Sequence, residues 1–134
     1  MAIPFPSDAW VKELMVRLND NAKYAEAAKN WEWDTLFDIE YPDKSHRLLY
    51  LDLWHGQCRG AHEVKPGQEQ KAAFVYGVSL ADIIKVLKGE LDPIQAMATG
   101  KLKVKGSMVV MMRNVPTVLE FVKTAQQIET EFST

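Results

Sequence analysis

The sequence predicts an α+β fold, with about five strands in a mainly antiparallel sheet and helices covering one face. Three observations carry this. Residues 33–41 and 46–55 each alternate apolar and polar side chains with a period of two, and Pro42-Asp43-Lys44-Ser45 between them is turn chemistry that joins antiparallel strands. Residues 80–87 and the stretch after Pro116 instead repeat their apolar positions at three and four, the spacing of a helix with one buried stripe. Residues 101–105 then return to strict alternation, so a last strand arrives after helices have begun, the order of an α+β chain rather than of repeated βαβ units.

In chain order, Ser7 or Asp8 can cap a first helix whose buried face holds Trp10, Val11, Leu14, Met15 and Leu18, with Lys12, Glu13 and Arg17 outward. Asn19-Asp20-Asn21 interrupts it, and an alanine-rich second helix is expected over 21–30, offering Tyr24, Ala25, Ala27, Ala28 and the following Trp31 for packing. In the first strand Trp33, Thr35, Phe37, Ile39 and Tyr41 share one face, while Asp34, Asp38 and Glu40 lie on the other. The second turns Leu49, Leu51 and Leu53 inward against Tyr50, Asp52 and Trp54. Gly56-Gln57 is a tight link into a third strand over 58–64, and Lys65-Pro66-Gly67-Gln68 a turn before a fourth over 72–78.

Ser79 with Asp82 three residues on forms a capping-box pattern, and Leu80, Ile83, Ile84 and Leu87 make the stripe of the helix it opens, which Gly89 closes. Asp92-Pro93 caps a second, shorter helix that ends at Gly100. Lys101, Lys103 and Lys105 then oppose Leu102 and Val104 on a fifth strand, expected at a sheet edge where a lysine row discourages strand addition. After Gly106, Ser107 can cap a turn made of Met108, Val109, Val110, Met111 and Met112, apolar all round and therefore expected to be covered on several sides. Asn114 is read as a left-handed terminator, and the last helix, opened by Pro116, carries the stripe Val118, Phe121, Val122, Ala125, Ile128 and Phe132.

Composition narrows the function classes. One domain, residues 1–134, is expected from a chain of 134 residues, 47% hydrophobic and 25% charged. A net charge of −2 leaves no basic footprint for nucleic acid and no polybasic anchor for an anionic membrane. Cys58 is the only cysteine, so a reducing compartment fits, and MAIPFPSDAW has neither the basic region nor the apolar core of a secretory signal. The longest strongly apolar run, 108–112, falls far short of the ~20 residues that cross a bilayer, and a soluble, cytoplasmic protein is expected.

Little in the chain suggests catalysis. His55, Cys58 and His62 are the nearest thing to a metal set, but 55 and 58 point to opposite faces of a strand and a zinc site wants four ligands, or three and water. A Cys58 nucleophile has no motif that orients a histidine beside it. Asp34, Asp38 and Glu40 read as a solvated strand face, and glycine-rich phosphate loops, nucleophile elbows and dinucleotide fingerprints are missing. No catalytic residue, metal or cofactor is expected.

A helix, a Gly-x-Leu-Asp-Pro step, a short helix, Gly-Lys-Leu-Lys-Val-Lys-Gly and another helix together resemble the sterol carrier protein 2 family of small lipid-binding domains. The matching residues are Gly89, Leu91, Asp92, Pro93, Ala96 and 100–106 with the apolar run after them. Where many relatives carry a phenylalanine before the glycine, this chain has Ala98 and Thr99, and its final EFST is not a peroxisomal tripeptide. The resemblance implies a ligand tunnel between sheet and helices, lined by Ile83, Ile84, Leu87, Met97, Met108, Met111, Met112, Val118, Phe121, Val122 and Ala125, with the last helix as gate. It implies one partner, a small hydrophobic ligand such as a fatty acid, acyl thioester, phospholipid or sterol, with at most transient membrane contact and a possible homodimer. Two other readings compete: an interaction or dimerisation module with a filled core, for which Tyr50 and Trp54 are the first surface to test, and a small enzyme acting on a hydrophobic substrate.

Overall fold

The computed structural model describes residues 2–132, so the last two residues of EFST lie outside the described residues. The elements run β1 (Ile3–Phe5), α1 (Asp8–Asn19), α2 (Ala22–Ala27), β2 (Thr35–Glu40), β3 (His46–Trp54), β4 (Gln57–Val64), β5 (Phe74–Ser79), α3 (Leu80–Leu87), α4 (Pro93–Ala98), β6 (Leu102–Lys105), α5 (Met108–Arg113), α6 (Val115–Gln126) and β7 (Thr130–Phe132). The predicted α+β class, five-stranded sheet and edge position of the lysine strand are all present.

The sheet has the order β4-β3-β2-β5-β6. β2 and β3 pair antiparallel as expected, with Phe37 opposite Leu49 and Thr35 opposite Leu51. The turn into β4 is His55-Gly56, one residue earlier than the sequence suggested, with φ of 49° and 80°. Two positive φ values in a two-residue loop match the right-handed twist of the flanking strands. Gly56 is required there twice over, since a Cβ would also stand 2.5 Å from the Ala25 carbonyl oxygen.

β5 does not fold back on β4. It crosses to the far side of β2 and pairs with it in parallel, Phe37 beside Tyr76 and Thr35 beside Phe74. Asp34 fixes this crossover: its carboxylate accepts from the Ala73 N–H at 2.7 Å and from the Tyr50 hydroxyl at 2.7 Å. Its carbonyl accepts from the Phe74 N–H at 3.1 Å. An aspartate read as a solvated face residue therefore ties three strands together. Leu36, on the same face, is also buried, in register between Tyr50 and Val75.

The helices start where their caps predict. Ser7, not Asp8, caps α1 by accepting from the Trp10 N–H at 3.0 Å, and Ser79 caps α3 by accepting from the Asp82 N–H at 3.1 Å. Asn21, Asp92 and Ser107 do the same for α2, α4 and α5. α2 stops at Ala27, short of the expected 30, and the chain turns over 28–30, the Trp31 N–H donating to the Ala28 carbonyl at 2.9 Å, so that Trp31 stacks on Phe74 at 5.2 Å.

Three expectations fail in the C-terminal third, and one pairing of the two termini was not foreseen. Asn114 has φ −122°, so α5 gives way to α6 without a left-handed residue. α6 ends at Gln126 rather than reaching Phe132. β7 follows and pairs in parallel with β1, Ile3 beside Thr130 and Phe5 beside Phe132, in a two-stranded ribbon that the sequence did not reveal. The turn at 108–112 is not covered: Met111 is buried, but Met108, Val109 and Met112 are 48%, 62% and 66% exposed.

Candidate binding cavity

Alternation sends Thr35, Phe37, Ile39, Leu49, Leu51, Leu53 and Tyr76 to one face of the sheet, and the helices roof that face. The two layers do not close on each other completely. A cavity of about 80 Å³ remains between the sheet, α1, α3, α4 and α6. Its helical wall brings together Trp10, Val11 and Leu14 from α1, Ile83, Val86 and Leu87 from α3, Pro93 and Met97 from α4, and Val118, Phe121, Val122 and Ala125 from α6. One side is a ladder of rings, with Phe37 stacked on Tyr76 at 5.1 Å and on Phe121 at 5.9 Å.

Of the residues expected to line a tunnel, Ile83, Leu87, Met97, Val118, Phe121, Val122 and Ala125 stand in this wall. Ile84 and Met111 are buried but outside it, and Met108 and Met112 face solvent. The reason is helical geometry: α5 has six residues, and only one side of its single buried turn meets the rest of the chain. The wall also contains Trp10, Val11, Leu14, Tyr24, Phe37 and Tyr76, which are not among the residues expected to line a tunnel. Period and burial mark such positions identically whether or not space remains between them.

The wall holds no Asp, Glu, Lys, Arg or His. Of its six polar side chains, three are engaged within the protein. Thr117 Oγ1 donates to the Ala27 carbonyl at 2.7 Å, Trp31 Nε1 to the Trp33 carbonyl at 2.7 Å, and Trp10 Nε1 to Thr130 Oγ1 at 3.0 Å. Burial drives the Tyr24 and Tyr76 phenols far above the ordinary tyrosine value, so both remain neutral.

The candidate chemistry weighed from sequence is dispersed. Burial pushes the Cys58 thiol up to about 11, and Sγ lies 3.3 Å from the Gly60 carbonyl oxygen. That is the environment of an inert structural cysteine. His55 Nδ1 is 2.7 Å from the Lys29 carbonyl and its Nε2 3.0 Å from Glu32, while the His62 ring lies tilted against Tyr50 with centroids 5.3 Å apart. Asp38 pairs with His46 at 2.6 Å. Among the described residues no three metal-ligating side chains converge.

A mixed sheet roofed on one face by helices, with an apolar, uncharged space between the layers, defines an α+β class of protein. Within that class, the chain belongs to the SCP-2 sterol transfer family, whose model matches residues 11–118. Among solved structures it is similar to a crystal structure of sterol carrier protein 2, with a TM-score of 0.83 and 31% identity over 91% of this chain and 97% of that one. It is equally similar to a conserved hypothetical protein of Thermus thermophilus, at TM-score 0.82 and 32% identity over 92% and 88%. A sterol carrier protein-2 of Aedes aegypti, solved in complex with the C16 fatty acid palmitate, shares the fold at TM-score 0.53 and 16% identity over 84% and 93%. Stomatin-like protein 1 of Mus musculus is 34% identical over 77 residues, 58% of this chain; the match spans only 18% of that longer protein.

Proposed function

We propose that residues 1–134 act as one lipid-carrying unit in the cytoplasm, binding a long hydrophobic ligand between sheet and helices and passing it on without a catalytic step. The observation that carries this reading is the wall itself, apolar on every side and without a charged residue. Family membership and the palmitate complex of the Aedes aegypti protein support it. Ile83, Leu87, Met97, Val118, Phe121, Val122 and Ala125 are the proposed contacts from the helices.

The driving force is desolvation. Burying roughly sixteen methylene groups at ~0.8 kcal/mol each gives a gross gain of about 13 kcal/mol, from which ordering and association costs are subtracted. The free cavity, about 80 Å³, is too small for such a chain, since ligand pockets run to roughly 300–1,000 Å³. Loading therefore requires α3, α4 or α6 to move outward from the sheet. The roof is built from separate short helices that meet the sheet through apolar side chains, which lets them shift without breaking a strand ladder.

The exposed Met108, Val109 and Met112 favour a transient contact with an anionic lipid surface, because Lys101, Lys103, Lys105 and Arg113 are exposed in the same stretch. Native mass spectrometry of gently purified protein, with lipid extraction and titration by a fluorescent long-chain probe, tests the carrier reading. A discrete lipid mass and saturable, competable binding are expected. Ala125→Leu, which fills the cavity, should lower affinity at least tenfold while leaving the melting temperature unchanged or higher. A bare mass and no uptake of any acyl chain or sterol would turn the reading toward a filled-core interaction module.

A further inference from the structure

Tyr24 and Tyr76 both line the cavity, at 1% and 7% exposure, and neither phenol hydroxyl is hydrogen-bonded to a protein group among the described residues. They are not sealed into packed protein either: among the described residues, the only side-chain polar atom both inaccessible and unpartnered is Tyr41 Oη. Both residues line the cavity, so their free hydroxyls are available to a group that enters it. Of the other polar side chains in the wall, Thr117, Trp10 and Trp31 already spend their donors inside the protein, and Thr35 on the sheet is the one further lining hydroxyl without such a bond among the described residues. Tyr24 and Tyr76 lie in one aromatic cluster, linked through Phe121 and Phe37 with ring separations of 6.3, 5.9 and 5.1 Å. Each phenol's ionisation would also oppose the other's.

We propose that the Tyr24 and Tyr76 hydroxyls are the polar anchor of the cavity and select a ligand whose buried polar group is an uncharged oxygen, that of an alcohol, sterol or ester, over an ionised carboxylate. The inference rests on the carrier reading. A buried donor without a partner is costly, and a neutral ligand oxygen entering beside these hydroxyls restores the missing bonds. A carboxylate in the same place would leave water and find no cation, because the wall contains none. A free fatty acid can then bind in two ways only: protonated with its head inside, or ionised with its head left in water at the mouth. In the second case it never touches the tyrosines.

The test uses the full chain stripped of lipid, with 1-hexadecanol and palmitic acid as competitors of a fluorescent probe at pH 7.5 and pH 5. The variants are Tyr24→Phe, Tyr76→Phe and the double change. Each removes an oxygen without altering ring volume, and the double variant should melt at the same temperature or higher because it deletes unpartnered buried hydroxyls. Hexadecanol should bind the wild type more tightly than palmitate at pH 7.5, and the gap should narrow at pH 5 as the acid protonates. Each phenylalanine should weaken hexadecanol binding by about two- to tenfold, the range of a single neutral hydrogen bond. Palmitate binding at pH 7.5 should weaken less than hexadecanol binding in every variant. Hexadecanol affinity unchanged in the folded double variant, or palmitate equal to hexadecanol at pH 7.5, overturns the inference and leaves the carrier reading standing. Failure of the wild type to take up either probe overturns the carrier reading and this inference with it.

Discussion

α3 and α5 look alike on paper, each an apolar run behind a serine cap, and the fold uses them in opposite ways. α3 buries Leu80, Ile83, Ile84 and Val86, whereas α5 buries Met111 alone and shows Met108, Val109 and Met112 to solvent. The difference is carried by the polar residues between the apolar ones. Asp82 and Lys85 mark an outward side on α3, so the opposite side has one place to go, and the helix continues directly from β5 onto the sheet. α5 has no polar position before Arg113 and only six residues, so nothing in it singles out a face. Apolar content measures how much could be buried, and the spacing of polar positions says which side is.

The largest break in that comparison should come from Ile83→Ala, which enlarges an existing cavity and is expected to cost about 2–4 kcal/mol in urea unfolding. The matching change Val109→Ala on α5 should cost less than ~0.5 kcal/mol. Equal losses would mean that α5 is held against the body as firmly as α3. The joint that launches α5 should come next. Gly106 has φ 148°, and a Cβ there would collide with the Phe74 ring, so Gly106→Ala should cost about 1–3 kcal/mol and loosen β6 and α5 together in hydrogen exchange.

Met108→Ser with Met112→Ser should leave stability within ~0.5 kcal/mol of the parent while reducing cosedimentation with anionic vesicles. Unchanged cosedimentation would remove the membrane role proposed for α5. The smallest effect lies far from both helices, at His46, whose bond to Asp38, with Glu40 nearby, raises its pKa above the ordinary value near 6.5. A raised folded pKa stabilises fully below the unfolded value and is lost as pH climbs through the folded one. Unfolding measured from pH 5.5 to 8.5 should show a shallow decline in the parent that His46→Gln lacks.

Much of this architecture was legible in the sequence because each element carries its own period and its own cap. Ser79, Asp92 and Ser107 cap the helices they were expected to cap, and the inward residues of β2, β3 and β5 follow from alternation alone. What alternation cannot encode is which strand lies beside which. The parallel pairing of β5 with β2 depends on Asp34 reaching Ala73, a contact thirty-nine positions apart that leaves no periodic trace. Strands of three residues, as in β1 and β7, are too short to display a period at all, and Pro4 within β1 further disguises it. In the cavity, the stripes of α3 and α6 pointed to the right helices. The two tyrosines were hidden because an inward ring reads as core, and only the cavity they line sets them apart.

The ribbon of β1 and β7 gives the molecule a mechanical character. Because the first and last strands run parallel, drawing the two ends of the chain apart slides one strand lengthwise along the other. All their hydrogen bonds then bear the load at once, whereas an antiparallel pair of terminal strands would peel one rung at a time. The Trp10 indole bonded to Thr130 and the Phe5 ring set against both Trp10 and Phe132 share that load from the side. Tension on the ends is thus met by a clamp in shear before it reaches the helices that roof the cavity.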